Sequence, residues 1–245
     1  MDPMKLEIDR ITTFIQTFYQ NAGAKNIVIG VSGGVDSAVC LNLCVRAIGA
    51  KNVIAIHMPT GTTPECDTTH VYTECDRVGV IPTTRVISGL VGAFASKVGK
   101  PGIGKETMGN LAARCRMVLL YTYANKYNGV VCGTGNRTEY FLGYTTKWGD
   151  NAADFYPILH LLKTEVWAMA KELGVLEEII AKKPSAGLWE GQTDEGEIGL
   201  CYYEIDREIV EFLNGDGPMD DTLVELHRHN MHKSDPGKSL LTTRW

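Results

Sequence analysis

The sequence lacks the features that would place the protein in a membrane or on nucleic acid. No apolar run approaches the roughly 20 residues that span a bilayer. The first ten residues carry Asp2, Glu7 and Asp9 and no apolar segment of a signal peptide. The net charge is −5 and the pI is about 5.7, whereas nucleic-acid-binding domains usually carry a basic excess. We therefore expect neither a membrane nor nucleic acid among its partners.

The sequence also lacks cysteine pairs of the metal-binding or redox kind. Its seven cysteines include no Cys-x-x-Cys pair and match no zinc-site spacing. Cys40 and Cys44 stand four residues apart, the spacing of one helix face, so we expect buried thiols. Free thiols are typical of a reducing compartment, and we therefore expect a cytoplasmic protein.

No internal repeat or low-complexity tract is present, and short apolar runs alternate with helical patterns. Four runs predict buried parallel strands: residues 26–31, 52–57, 83–87 and 129–133. Seven stretches predict helices: residues 8–19, 36–48, 65–78, 111–126, 164–173, 202–213 and 222–231. This alternation predicts an α/β fold, a doubly wound parallel sheet with helices on both faces, formed as a single domain by residues 1–245.

Two polar, glycine-rich stretches interrupt the pattern, at residues 97–110 and 182–196. Their glycine, lysine and proline content predicts mobile loops rather than regular elements. In doubly wound sheets the ligand crevice lies beyond the carboxyl ends of the strands. Loops near that edge are suited to close over a bound ligand.

The strongest local signal follows the first predicted strand and opens a predicted helix. It is the segment Gly30-Val31-Ser32-Gly33-Gly34-Val35-Asp36-Ser37. The glycines permit a tight turn, and the free amides at the helix start favour an anion such as pyrophosphate. Asp36 would suit such a site if a cation lay between it and the phosphates, because Mg²⁺ prefers one or two carboxylates plus phosphate oxygens.

A plain glycine turn before an acidic helix start is the alternative, and Asp is common in a first helical turn. The full Ser-Gly-Gly-x-Asp-Ser string in this setting resembles the PP-loop of the ATP pyrophosphatase superfamily. That resemblance implies an adenine nucleotide alpha hydrolase-like fold and cleavage of ATP to AMP and pyrophosphate. Gly99 to Glu106 nearly matches a Walker A motif, but Glu106 stands where Ser or Thr would bind Mg²⁺. Residues 133–135 begin a Gly-x-Gly that is not completed to a dinucleotide fingerprint.

Further segments resemble the motifs of ammonia-dependent NAD synthetases and occur in that family's order over nearly the whole chain. They are Gly109-Asn110-Leu-Ala-Ala-Arg114-Cys-Arg116-Met117, Gly133-Thr134-Gly-Asn-Arg-Thr-Glu139, Thr146-Lys147-Trp148-Gly149-Asp150 with Asp154, Lys163-Thr164-Glu165-Val166, Lys183-Pro184-Ser185-Ala186-Gly187-Leu188 with Gln192-Thr-Asp194-Glu195, and His232-Lys233. Each segment alone is weakly specific, but together they are highly specific.

The resemblance implies ATP-dependent amidation of deamido-NAD by ammonia, through an adenylated nicotinate carboxylate, to give NAD, AMP and pyrophosphate. It implies Mg²⁺ held by Asp36 and Glu139, and catalytic roles for Asp36, Lys147 and Lys163. The implied ATP-binding residues are Gly30, Val31, Ser32, Gly33, Gly34, Val35, Asp36, Ser37, Thr134, Lys163 and Ser185. The implied deamido-NAD-binding residues are Arg114, Lys147, Asp154, His232 and Lys233. Without the resemblance, surface positions would be the ordinary interpretation of the lysines and of Glu139.

Two positions within the motifs need separate treatment. Arg114 and Arg116 are two residues apart on a predicted helix, so they point about 200° apart and cannot both face the site. The resemblance assigns Arg114 to deamido-NAD, which leaves a structural pairing for Arg116. The family often has Asp where this chain has Gly187, so another residue, such as Glu190 or Asp194, would have to fill any role of that Asp.

The resemblance also implies a homodimer with the substrate site near the interface. We expect free ammonia as the nitrogen source, because the phosphate loop begins by residue 30 and the synthetase motifs continue to Lys233. Other PP-loop enzymes, such as a tRNA sulfur-transfer or GMP-forming ligase, are one alternative. A non-catalytic adenine-nucleotide-binding module of the universal-stress type is another, but it would not require Glu139 or the lysines.

Overall fold

The computed structural model describes residues 2–99, 102–185, 187, 191 and 193–234. The strands are β1 (Asn26–Gly30), β2 (Val53–His57), β3 (Thr83–Thr84) and β4 (Gly129–Cys132). The helices are α1 (Pro3–Asn21), α2 (Val35–Ile48), α3 (Glu65–Arg77), α4 (Ser88–Val98), α5 (Lys105–Tyr127), α6 (Arg137–Leu142), α7 (Lys163–Glu172), α8 (Glu177–Ala181), α9 (Asp194–Ile198), α10 (Tyr202–Asn214) and α11 (Asp221–Asn230). Short 3₁₀ turns occupy Ala50–Asn52 and Met231–Lys233.

The four strands form one parallel sheet in the order β3-β2-β1-β4. Side chains alternate between its two faces. Ile27 and Ile29 of β1 pack in a cluster with α1, α2 and α7, whereas Val28 packs in a second cluster with α4 and α5. The predicted doubly wound parallel sheet with helices on both faces is therefore confirmed.

The chain reverses direction across the sheet between β1 and β4. From β1 it proceeds through α2 to β2 and β3, and then returns through α5 to β4 on the other side of β1. This switch point leaves a crevice beyond the carboxyl ends of β1 and β4, where ligands bind in open α/β sheets. The segments after Gly30 and after Cys132 meet there.

A third hydrophobic cluster joins the C-terminal helices to this crevice. It comprises Leu142, Leu162, Ile198, Tyr202, Ile205, Ile209, Met219 and Leu223. Its members lie on α6, α9, α10 and α11, just before α7 and in the connection between α10 and α11. The cluster therefore fixes α10 against the elements that follow β4. In the part of the chain that the structure describes, no helix is long and apolar enough to cross a membrane.

The predicted loop at residues 97–110 is wrong. Helix α4 continues to Val98 and α5 begins at Lys105, and residues 100 and 101 of the short connection lie outside the described residues. Gly109, Ala112 and Cys115 are buried on α5. Packing against the sheet therefore outweighs the low helix propensity of glycine. The third predicted strand is also shorter than expected, because only Thr83 and Thr84 pair with β2.

Candidate active site

The phosphate loop is the turn between β1 and α2, and its hydroxyls are held in place by local hydrogen bonds. The Ser32 and Ser37 hydroxyl oxygens are 3.1 Å apart, and the Gly34 amide donates to Ser32 Oγ over 3.2 Å. The Ser37 hydroxyl donates to the Gly34 carbonyl over 2.9 Å. The first amides of α2 are thus presented at the crevice with the positive end of the helix dipole behind them, which favours an anion.

Gly33 lets this turn approach α3 closely. Its φ is +85°, and a Cβ at this position would lie 2.6 Å from the carbonyl oxygen of Asp67. Buried His57 supports the same turn from the end of β2, with Nδ1 3.0 Å from the Val31 carbonyl oxygen and Nε2 3.0 Å from Thr68 Oγ1. The turn is therefore fixed by both its own backbone conformation and its neighbours.

Three charged side chains meet beyond the carboxyl ends of β1 and β4. Lys163 Nζ is 2.5 Å from Asp36 Oδ2 and 3.4 Å from Glu139 Oε1. Asn136 links the two carboxylates, since its side-chain amide donates to Asp36 Oδ1 over 2.8 Å and its backbone amide donates to Glu139 Oε2 over 3.4 Å. The lysine side chain is buried, with an exposed fraction of only 3%. This carboxylate–lysine cluster brings together three predicted site residues from three separate segments.

The electrostatics of the carboxylate–lysine cluster favour an additional positive charge. Burial raises the pKa of Glu139, the nearby Asp36 carboxylate raises it further, and the partial compensation by Lys163 leaves it at about 8. For Lys163, burial lowers the pKa, but the two carboxylates outweigh burial and the net pKa lies above its ordinary value. The Lys163 ammonium is therefore permanently charged, whereas the negative charge of the Glu139 carboxylate is only partly compensated.

The donor set of this cluster fits a magnesium–nucleotide complex. Within the described residues, no group of three or more His, Cys, Asp or Glu side chains is arranged to hold a metal ion. Mg²⁺ bound with a nucleotide needs only one or two protein carboxylates, because phosphate oxygens and water complete its octahedron. Asp36 and Glu139 beside the phosphate loop supply two such carboxylates.

A second group of predicted residues lies at the C-terminal end of the described chain. Lys147 Nζ donates to the His232 carbonyl over 2.5 Å and lies 5.6 Å from the centre of the Trp148 ring. Arg114 Nε donates to the Lys147 carbonyl over 3.2 Å, and Lys233 Nζ donates to the Gly143 carbonyl over 2.9 Å. These residues form a basic cluster around residue 147. Arg116 instead donates to the Met58 carbonyl over 3.1 Å, so the two arginines do point apart.

A cavity lies beside the carboxylate–lysine cluster. Its lining includes Asn136 and Glu139 from the carboxylate–lysine side and Asp150 and Asn151 from the basic side, with further walls from Thr134, Tyr140, Thr145, Tyr156 and Leu159. Asn151 also donates to the Lys233 carbonyl over 3.0 Å. The cavity therefore lies between Glu139 and a residue that contacts Lys233.

The remaining predicted ligands take other positions. Thr134 lines the cavity. Asp154 accepts the Val131 amide at Oδ2 over 2.7 Å, so one of its oxygens is committed to the edge of β4. Ser185 is exposed, and its hydroxyl accepts from the Gly187 amide over 3.1 Å.

The second glycine-rich stretch, residues 182–196, lies partly outside the described residues, which exclude Ala186, Leu188, Trp189, Glu190 and Gln192. At its start Lys182 pairs with buried Asp67, whose carbonyl faces Gly33. At its end Asp194 is buried and accepts from the Tyr202 hydroxyl over 2.9 Å. The stretch is therefore anchored beside the phosphate loop and beside the carboxylate–lysine cluster.

Sequence reasoning missed several residues that build the carboxylate–lysine cluster. Asn136 forms a capping box with Glu139 at the start of α6, and its Asn-x-x-Glu spacing is a recognisable helix-start signal. Tyr202 places its ring 5.4 Å from Lys163 Nζ. Asp206 accepts a hydrogen bond from the Thr164 amide over 2.8 Å. No sequence pattern connects the last two residues with residue 163.

A parallel sheet that leads through Ser-Gly-Gly-x-Asp-Ser into a helix, with a lysine and two carboxylates at the switch point, defines the PP-loop class of ATP-binding α/β proteins. Comparison with known proteins gives the particular family. The chain belongs to the NAD synthase family, whose model matches residues 7–234.

Individual relatives agree with this assignment. The NH(3)-dependent NAD(+) synthetase of Methanosarcina mazei is 44% identical over 212 residues, which cover 86% of this chain and 83% of the relative. The NMN synthetase structure from Francisella tularensis has a TM-score of 0.89 at 33% identity and covers 98% of this chain and 99% of its own. The NH3-dependent NAD synthetase of Campylobacter jejuni, in complex with the nitrate ion, has a TM-score of 0.83 at 29% identity and covers 98% and 100%.

Proposed function

We propose that the protein uses ATP and ammonia to convert the nicotinate carboxylate of deamido-NAD into the amide of NAD. The observation that carries the proposal is the meeting of Asp36, Glu139 and Lys163 beside the phosphate loop. Membership of the NAD synthase family and the names of the relatives support the choice of substrates.

The ATP phosphates would occupy the turn from residue 30 to residue 37. The free amides at the start of α2 suit phosphate oxygens, and Lys163 supplies a permanent positive charge. Asp36 and Glu139 would hold Mg²⁺ beside the phosphates. When bound, the ion would supply Lewis-acid stabilisation of the charge that develops on the departing pyrophosphate.

Deamido-NAD would extend through the cavity toward the basic cluster. Arg114, Lys147 and Lys233 carry positive charges suited to the pyrophosphate of a dinucleotide, and the exposed His232 lies beside them. Asp154 retains one carboxylate oxygen that the Val131 amide does not occupy, and this oxygen can accept from a ribose hydroxyl.

The chemistry proceeds in two steps. A nicotinate carboxylate oxygen attacks the α-phosphorus of ATP, and the bond from that phosphorus to pyrophosphate breaks. The neutral nitrogen of ammonia then attacks the carbonyl carbon of the adenylate, AMP departs, and the nitrogen loses a proton to give the amide. Activation is needed because a free carboxylate is a poor electrophile, and exclusion of water is needed because water would hydrolyse the adenylate.

Residues 182–196 suit the role of a lid over this intermediate, because both ends of the stretch are anchored at the site. Residues 97–110, the other predicted lid, are mostly helical and do not support that role.

A homodimer is part of the proposal. Helix α4 exposes Leu90, Phe94 and Val98, which are spaced four residues apart and so lie along one face. Val118 on the adjacent helix α5 is also exposed, at 56% of its surface. An apolar face of this kind is typical of a protein–protein interface, and a second copy of the chain would cover it.

The test is product formation by the purified protein with ATP, Mg²⁺, deamido-NAD and ammonium, following NAD, AMP and pyrophosphate. We expect all three products in equal amounts, and much slower NAD formation when glutamine replaces ammonium. Asp36→Asn should lower kcat by at least about 100-fold, as losses of metal-site residues commonly do. Asp221→Asn is the matched control, because Asp221 also lies in a first helical turn but on exposed α11. Absence of NAD, or equal rates for the two variants, would refute the proposal.

The structural likeness to an NMN synthetase makes amidation of nicotinate mononucleotide the second candidate function. It uses the same adenylation chemistry on a shorter substrate. The two functions are separated by comparing kcat/KM for deamido-NAD and nicotinate mononucleotide under identical conditions. The higher identity to relatives named as NAD synthetases leads us to expect preference for deamido-NAD.

A further inference from the structure

At the start of helix α7, which carries Lys163, the Leu162 amide donates to Glu165 Oε2 over 2.7 Å, but no side chain of α7 accepts from the Lys163 and Thr164 amides. Its first residue is Lys163, and the residue before it, Leu162, has no side-chain acceptor. The first amides of a helix have no partner within the helix, and burial without a partner is unfavourable. Lys163 is 2% exposed, so the amides at this helix start require acceptors from elsewhere in the fold.

Two buried side chains from other helices supply those acceptors. Thr138 Oγ1 on α6 accepts from the Lys163 amide over 3.0 Å, and Asp206 Oδ2 on α10 accepts from the Thr164 amide over 2.8 Å. The Thr138 hydroxyl donates to Asp206 Oδ1 over 2.5 Å. Thr138 is fully buried and Asp206 is 3% exposed. The Asp206 carboxylate thus uses both oxygens and places its charge at the positive end of the α7 dipole.

The same helix α10 also contacts the other end of the lysine side chain. Tyr202 precedes Asp206 by four residues and therefore lies on the same helix face. Its ring is 5.4 Å from Lys163 Nζ, at a distance where an ammonium interacts favourably with an aromatic ring. Helix α10 thereby fixes the backbone of Lys163 through Asp206 and its ammonium through Tyr202.

We propose that Asp206, acting with Thr138, is a positioning residue that fixes Lys163 for the amidation reaction. The expected effect on activity rests on the proposed function, whereas the hydrogen bonds of Asp206 and Thr138 do not depend on it. Thr138 directly precedes Glu139, so the same hydrogen bonds join the carboxylate helix α6 to the lysine helix α7. Without the Asp206 carboxylate, α7 would lose its cap and Lys163 would no longer be held against Asp36.

The experiment substitutes Asp206→Asn, which keeps the side-chain volume but leaves one oxygen acceptor for two donors. We expect kcat to fall about 10- to 100-fold, because small misplacements of a charged catalytic group have effects of that order. Thr138→Val should behave similarly, whereas Thr138→Ser keeps the hydroxyl and should restore most of the activity. KM for deamido-NAD should change less than kcat.

Glu208→Gln is the control for a general loss of helix contacts. Glu208 also lies on α10, and it accepts from the Asp220 amide over 2.6 Å at the start of α11. This variant likewise replaces a carboxylate that accepts at a helix start by an amide, but in another place, and it should retain wild-type kcat. All variants are assayed well below their melting temperatures.

A double-mutant cycle with Lys163→Gln separates positioning from a general structural effect. If Asp206 acts through Lys163, Asp206→Asn should lower the residual activity of the Lys163→Gln protein by less than about threefold, because residues that act as one unit are not additive. Additive losses, or wild-type kcat in Asp206→Asn, would overturn the inference.

Amide hydrogen exchange provides a readout that does not depend on the reaction. The Lys163 and Thr164 amides should exchange at least 10-fold faster in Asp206→Asn than in the wild-type protein, whereas Glu208→Gln should leave them unchanged. A wild-type protein that formed no NAD would refute the proposed function, while unchanged exchange at these two amides would refute the role of Asp206.

Discussion

Glu139 shows at the scale of one residue how burial beside a second carboxylate disfavours the charged form of a side chain. Burial is the largest cause of its raised pKa, and the Asp36 carboxylate adds to it. Lys163 opposes both but leaves the pKa at about 8. In the ligand-free protein near neutral pH, Glu139 therefore retains a proton that a metal ion would displace.

This environment predicts a pH-dependent effect of Glu139→Gln on stability. Below the ordinary pKa of 4.5, Glu139 is protonated in both folded and unfolded states and contributes no difference. As the pH rises to about 8, the unfolded chain releases a proton that the folded protein retains, so the wild type loses stability. Glutamine stays neutral, and the variant should therefore gain stability relative to the wild type between pH 5 and pH 8.

The measurement is urea unfolding of both proteins at pH 5 and pH 8 without Mg²⁺ or ATP. Glu225→Gln is the control, because Glu225 is exposed on α11, and it reports the general effect of removing one negative charge. A stability difference for Glu139→Gln that is the same at both pH values would contradict the raised pKa.

The cysteines are a second set of residues whose surroundings determine their behaviour. Cys44 Sγ and Cys132 Sγ are 3.8 Å apart between α2 and β4, and Cys40 lies next to them. Burial raises the pKa of Cys40, and burial with neighbouring thiols raises those of Cys44 and Cys132. Burial also raises the pKa of Cys75 to about 12. The prediction of buried thiols at positions 40 and 44 is confirmed.

We expect native thiol labelling at pH 8 to modify Cys66 rapidly, because it is exposed, and Cys201 more slowly, because it is half-buried. The other five cysteines are buried and should react only after unfolding, since the thiolate is the reactive form. Titration with a chromogenic disulfide, with and without denaturant, counts the groups. Cys66→Ser should abolish the fast phase, and rapid reaction of three or more native thiols would contradict the buried arrangement.

At the scale of elements, the sequence predicts buried strands and amphipathic helices better than it predicts connections. The run at residues 26–31 is mostly apolar because β1 contacts a hydrophobic cluster on each face of the sheet. Strand β1 can therefore be predicted from the composition of this run. Residues 97–110 contain glycine and lysine, yet residues 105–110 belong to α5, which packs on the sheet through Ala112 and Cys115. That packing depends on the sheet, and a local pattern does not contain it.

The residues of the candidate site also differ in how well the sequence predicts them. Asp36 and Glu139 lie in short motifs at strand ends, so their positions follow from the sheet and its switch point. Lys163 contacts Asp36 across 127 residues of sequence, and only the motif resemblance pointed to it. Lys147 is predicted both to act in catalysis and to bind deamido-NAD, and it lies in the basic cluster with His232. Asp206 belongs to no motif, and its contact with the start of α7 follows only from the packing of α10.

The phosphate loop allows a prediction about one element with a matched control. Gly33 and Gly49 have φ of +85° and +80°, and an alanine at such positions destabilises the folded state by about 1–3 kcal/mol. At Gly49 an added Cβ would meet nothing within 4 Å, whereas at Gly33 it would lie 2.6 Å from the Asp67 carbonyl oxygen. Gly33→Ala must therefore displace the loop or α3, whereas Gly49→Ala requires no such displacement.

We expect both alanine variants to unfold at lower urea concentration, with the larger shift for Gly33→Ala. Only Gly33→Ala should weaken ATP binding, by at least about 10-fold, since 1.4 kcal/mol of displaced contact is worth that factor. Calorimetric titration with a non-hydrolysable ATP analogue measures the difference. Wild-type affinity in Gly33→Ala would mean that the turn tolerates a side chain and does not hold phosphate by close approach.

At the scale of the whole molecule, the basic cluster and the apolar face of α4 are joined through α5. Helix α5 carries Arg114 toward the basic cluster and packs against α4. If a second copy of the chain covers Leu90, Phe94 and Val98, the dimer would support the helix that presents Arg114. Assembly and activity would then depend on each other.

The prediction is that Phe94→Glu converts a dimer into a monomer and lowers NAD formation. Phe94 is 59% exposed at the middle of the α4 face, and burying a charge in an apolar interface without a partner is strongly unfavourable. Ile81→Glu is the matched control, because Ile81 is 92% exposed in the connection between α3 and β3, away from that face. Light scattering during size-exclusion chromatography should give half the wild-type mass for Phe94→Glu and the wild-type mass for Ile81→Glu. If Phe94→Glu kept the wild-type mass, or the wild type were itself monomeric at micromolar concentration, α4 would not form the dimer interface.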